Sequence, residues 1–171
     1  MRLKILGCIL LIFALAIASD VDPKAAIIKS GQELASLEMR HAALNIWWNV
    51  YIARERVPYY EAPLIIDRIE HYKSRLQALN TELIQIHAPG ELAYVRQLLS
   101  EVYAKRLTYC TLSIKYYSLR DEQALSEADR IIDEANHLHG KAQEQLLSVL
   151  DKYGISLEEI IQRGLKPRLV E

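Results

Sequence analysis

Four stretches of this chain carry apolar residues at alternating steps of three and four, a spacing that admits few folds. The first runs through Ile27, Ser30, Leu34, Leu37, His41, Leu44, Trp48 and Tyr51. The second holds Ile65, Ile69, Tyr72, Leu76, Leu79, Leu83 and Ile86, and the third Val95, Leu99, Val102, Arg106, Tyr109, Ser113 and Tyr116. The fourth passes through Leu125, Ala128, Ile132, Ala135, His139, Ala142, Leu146, Val149 and Tyr153. A 3.5-residue repeat keeps one face of each helix turned toward its neighbours, with knobs-into-holes contacts at shallow angles.

Proline and glycine mark the helix ends. Asp22-Pro23 reads as an N-cap with proline at the first helical position, while Ser30 and Glu33 form a second capping box, so helix one starts at either place and runs to about Arg56. Pro63 opens helix two, which ends near His87; Pro89-Gly90 leads into helix three, from about Glu91 to Leu119. Asp121 caps helix four, which ends near Tyr153 with Gly154 as a left-handed cap. Ser156 and Glu159 box a short amphipathic helix carrying Leu157, Ile160 and Ile161. Links this short between helices this long force antiparallel neighbours. The expected fold is all-α, an antiparallel up-down-up-down four-helix bundle over residues 19–165 with a short C-terminal helix, followed by a mobile tail at 166–171. His137 and His139 before Gly140 resemble a helix end, but the seam keeps its register to Ala142, which predicts one continuous helix with Gly140 as a close-packing point.

Residues 1–18 read as an export signal. Arg2 and Lys4 precede an apolar run from Ile5 to Ala18, and Ala16-Ile17-Ala18 offers the small residues a signal peptidase reads. The run falls short of the roughly 20 apolar residues of a membrane-crossing helix, so an uncleaved anchor ranks second. Ile5-Leu6-Gly7-Cys8 imitates a lipoprotein box, yet here the apolar segment follows the cysteine, which excludes lipidation there. Cleavage would leave a single-domain length and take two of the 21 basic residues against 22 acidic ones, so no clustered basic excess points to nucleic acid. It would also leave Cys110 alone, on an apolar face that predicts a buried, inert thiol.

Two constellations invite a functional reading. Glu-x-x-His occurs at Glu38/His41 and at Glu134/His137, a spacing used by di-iron bundles. Glu134 and His137 lie off the helix-four seam, so the two half-sites cannot face each other. His41 and His139 do share the seam, and counting layers between antiparallel helices one and four puts them at one height. Arg106 falls about a layer away, opposite Ala135, with Glu38 on the border as a charge partner. The first reading is a buried polar layer that fixes register, with Tyr103 and Tyr109 supplying hydrogen bonds. The second is a transition-metal or b-type haem site on His41 and His139; without Cys-x-x-Cys-His, covalent haem is excluded. No nucleophilic triad or phosphate loop supports an enzyme.

Helix one has a second apolar stripe opposite its seam: Ile28, Met39, Ile46 and Val50, with Trp47 beside it and Tyr59 and Tyr60 in the following loop. The segment after residue 156 is one candidate to cover it; a partner protein, a second copy or a membrane surface is the other. The expectation is an exported, cofactor-free interaction protein using this face, with the metal or haem bundle as runner-up.

Overall fold

A computed structural model describes residues 23–51, 62–156 and 158, and these form four helices: α1 (Pro23–Tyr51), α2 (Ala62–Gln85), α3 (Glu91–Leu119) and α4 (Glu122–Lys152). Among the described residues there is no strand. The signal, Tyr59, Tyr60, the Val50 side chain, most of the short C-terminal helix and the tail lie outside them.

The ends of the helices follow local chemistry. Asp121 accepts from the Ala124 N–H at 3.0 Å and pairs with Lys115 at 2.6 Å, so the cap also ties α4 to the end of α3. At the other end, Gly154 (φ 65°) donates to Asp151 O and Ile155 to Leu150 O, both at 2.9 Å, while the Ile155 side chain is buried. This pair of backward bonds is a Schellman closure, and the glycine supplies its left-handed residue without Cβ strain. Arg120 turns α3 into α4 at φ 57°, an unusual conformation for a residue with a side chain, and its N–H donates to Tyr116 O at 2.7 Å.

Cross-helix contacts give the directions. Ser30 meets His87 and Arg40 meets Glu82, so α1 and α2 run oppositely. Glu91 pairs with Lys152 and Lys105 with Glu134, so α3 and α4 do too. α3 and α4 approach each other most closely along their length. Ala124, Ala128, Ala135 and Ala142 make that possible, since small residues on the inner face of α4 let two backbones come together.

The seams place the core. Leu34, Leu37, Ile69, Leu76, Leu83, Val95, Leu99 and Val102 are all fully or almost fully enclosed. α3 buries more than its seam, adding Leu92, Leu98, Tyr103 and Cys110, because it packs against all three other helices. The start of α4 is rotated by one position: Ala124 and Ile131 are buried, whereas Leu125 and Ile132 are half-buried. Ser30 is not a cap either. It lies inside a continuous α1, and its hydroxyl donates to the His87 carbonyl at 2.5 Å, satisfying a group beyond the end of α2.

Gly140 is interior to a continuous α4, as the register requires, but it is not a close-packing point: a Cβ there would meet nothing within 4 Å. Gly31 holds that role, with Leu150 Cδ2 at 2.9 Å from where its Cβ would stand. Gly140→Ala is expected to stabilise the bundle by about 0.5–1 kcal/mol, the usual helix-interior difference. Gly31→Ala should lose that gain to displacement of buried Leu150. Urea midpoints of the two variants check the contrast.

Candidate functional site

Helical spacing brings one polar layer into the middle of the bundle. Glu38, His41 and Asn45 lie at steps of three and four on α1, so they share a face. Tyr103 and Arg106 face them from α3, Tyr72 from α2, and Asn136 and His139 from α4.

Glu38 is the centre. Its Oε2 lies 2.5 Å from His139 Nε2, and Tyr103 donates to its Oε1 at 3.2 Å. His41 Nδ1 stands 3.4 Å from the same Oε1 but makes no hydrogen bond to it, and no other acceptor meets that buried nitrogen. The His41 ring touches both His139 and Tyr103, with centroids 4.8 Å away in each case. His41 is fully enclosed, whereas 14% of the His139 side chain reaches solvent.

Asn45 orders the rest. Its Oδ1 accepts from Tyr72 OH at 2.9 Å and from Arg106 Nη1 at 3.1 Å. Two donors on the oxygen fix the amide, so Nδ2 is what faces His41 Nε2 at 3.3 Å. His41 Nε2 is therefore an acceptor, and the proton of the neutral ring sits on Nδ1, toward Glu38. Arg106 completes its contacts with Asn136 Oδ1 at 2.9 Å and leaves Nε unpartnered. The acceptors of this buried guanidinium are thus two amide oxygens. Glu38, expected as its charge partner, is engaged by His139 instead.

The electrostatics follow from enclosure and contact. Burial raises the Glu38 carboxyl, but the His139 hydrogen bond and the closeness of both imidazoles outweigh it and hold the group at about 2. Burial pushes His41 below its ordinary value, so its ring is neutral near pH 7. Burial likewise drives Tyr103 and Tyr72 upward, and Cys110 up to about 12, which makes that enclosed thiol inert as expected.

Glu38, His41 and His139 are the one group among the described residues whose ligand atoms converge as for a metal ion, lying within 4.8 Å of one another. Glu134 instead pairs with Lys105 and Arg130 on the outside, and His137 is exposed, as their position off the seam requires. A haem on His41 and His139 does not fit. The two rings are already in contact and leave no space for a macrocycle between them.

The apolar stripe of α1 is narrower than its periodicity suggests. Ile28 and Trp47 pack partly buried against the core and Met39 is half-buried, while Ile46 is 65% exposed. Trp47 leans on the His71 ring at 5.5 Å in a groove between α1 and α2. Arg40, Arg75 and Glu82 also line that groove, over a floor including Ala43 and Ala78. Trp48, by contrast, sits in the core with its ring tilted against Tyr72 and edge-on to Tyr109.

No family model matches this chain, and neither a curated protein nor a solved structure matches it at a significant level.

The layer makes stability depend on pH with a definite sign. Glu38 titrates below its unfolded value of 4.5, so its contribution is present above that value and lost as pH falls toward 2. The difference corresponds to roughly 3 kcal/mol. His41 acts in the same direction: its lowered value means stability is also lost as pH falls from 6.5. In metal-free buffer, urea midpoints should decline on acidification from pH 7, most steeply below 4.5. Glu38→Gln should be less stable at pH 7 and show a flatter acid limb.

Proposed function

We propose that this chain is a helical-bundle interaction protein working outside the cytosol, and that its α1–α2 groove receives an acidic helical segment of a partner protein. The observation that carries the reading is Trp47. Its ring lines an open groove instead of joining Trp48 in the core, and cationic or ionisable side chains surround it. An indole in a shallow groove is a typical anchor for a partner's aliphatic side chain.

Charge supports the choice of partner. The chain as a whole is close to neutral, at −1, yet the groove gathers Arg40, Arg75 and His71 against Glu82 alone. Glu82 is committed to Arg40 by a two-pronged bridge at 3.0 and 2.6 Å. Arg75 has no ion pair among the described residues. An amphipathic helix with Leu on one face and Glu flanking it matches this surface. The basic head, apolar run and small residues of 1–18 support a location beyond the cytosol.

The test uses a labelled acidic amphipathic peptide with Leu at every third and fourth position, and its Lys-for-Glu counterpart. Fluorescence anisotropy should show saturable, salt-sensitive binding of the acidic peptide only. Trp47→Ala and Arg75→Glu should each weaken it by about tenfold or more, with unchanged circular dichroism. Equal binding of both peptides, or none, overturns the reading. So does a dimer that Arg75→Glu dissociates, or anionic vesicles that bind where the peptide does not.

A further inference from the structure

We propose that Glu38, His41 and His139 form a mononuclear site for a transition-metal ion of the zinc class. One carboxylate and two imidazoles are a common donor set for such ions. Their atoms converge from two helices to within 4.8 Å, and α3 steadies the set by the Tyr103 hydroxyl on Glu38.

The orphaned atom is the independent sign. His41 Nδ1 is fully buried, aimed at the cluster and without a hydrogen-bond partner. Leaving such a group unsatisfied is destabilising, and a metal ligated at Nδ1 would remove that cost. Ligands of a tetrahedral ion stand about 3.3 Å from each other for bonds of about 2.0–2.1 Å. His41 Nδ1 and Glu38 Oε1 are already 3.4 Å apart. His139 Nε2 has to leave Glu38 Oε2, now 2.5 Å away, and the ligand atoms, which span up to 4.8 Å, have to close toward that spacing. The partly exposed His139 ring on α4 has solvent beside it. That edge, where Gln143 lies 3.3 Å from His139 Nε2, offers both the entry path and a fourth position for water.

The protons must balance. A metal on Nδ1 displaces the proton held there, and the neutral ring then carries it on Nε2. Asn45 now presents its Nδ2 to that nitrogen, so its amide has to turn and release Tyr72 and Arg106. His139 now donates its Nε2 proton to ionised Glu38. To ligate through Nε2 it gives up that bond, the neutral ring carrying its proton on Nδ1 instead, and a ring that was doubly protonated releases one proton to solvent. The cost of turning Asn45 and the positive charge of Arg106 both weaken the site. They also provide its most specific test. Asp at position 45 would accept from His41 Nε2–H, Tyr72 and Arg106 at once, the carboxylate–histidine–metal arrangement that raises affinity.

The experiment titrates the full chain with Co²⁺ and Zn²⁺, reading visible absorption for cobalt and calorimetry for zinc. One equivalent should bind. Glu38→Gln and His139→Gln should each lower affinity by on the order of a hundredfold, His137→Gln should leave it unchanged, and Asn45→Asp should tighten it by about tenfold or more. Binding that His137→Gln removes, or that His139→Gln and Asn45→Asp leave untouched, overturns the proposal, as does a wild type that binds no metal. The Asn45→Asp result keeps the test decisive if a ligand variant fails to fold, because it asks for a gain and not a loss.

Discussion

A carboxylate cannot stay ionised inside a helical bundle unless the surrounding groups are built to receive it, and Glu38 imposes that demand here. Its charge is met by His139 and Tyr103 from two other helices, with His41 closing the remaining side. Arg106 imposes the complementary demand a short distance away, answered by the amide oxygens of Asn45 and Asn136. Sliding any helix by one turn would strand one of these groups without a partner, at several kcal/mol. An all-apolar seam would tolerate such a slip far better. The buried layer therefore selects one alignment of four otherwise slippery surfaces.

Periodicity made most of the architecture legible. Helices three and four, the Asp121 cap and the Gly154 closure could be read because each rests on a local pattern of side-chain spacing or backbone preference. The shared height of His41 and His139 was legible too, since antiparallel heptads can be counted layer by layer. What stayed hidden depends on direction in space. Asn45 follows His41 by one helical turn, yet nothing in the letters shows that its oxygen would be held by Tyr72 and Arg106. Asn136 sits one step off the seam and is largely exposed, so nothing in its position announces that its oxygen accepts from buried Arg106. Ser30 has the letters of a cap, but the carbonyl it satisfies lies in the link that follows α2.

The outer face of α1 shows the same limit. A helical wheel assigns Trp47 to a stripe with Ile46, although the two rest in different surroundings. α2 approaches closely enough to take one side of the Trp47 ring with His71 and leave the rest in a groove. Ile46 stays on the other side of α1, exposed among the described residues. Whether an apolar residue becomes core, groove or rim is decided by the neighbour's distance, which spacing along one helix cannot encode.

The turn at Arg120 and Asp121 bears on how the chain acquires its shape. It links two long antiparallel helices through only two residues, so the entropy of closing that loop is small and its contacts are local in sequence. α3 and α4 also share the tightest backbone approach, while α1 makes fewer close contacts and reaches its neighbours largely through long side chains. The hairpin of α3 and α4 is thus the part best able to form early, and α1 the part held least firmly once formed. The helix that supplies Glu38, His41 and Trp47 is consequently the one with the most freedom to open, and access to the buried layer is tied to that freedom.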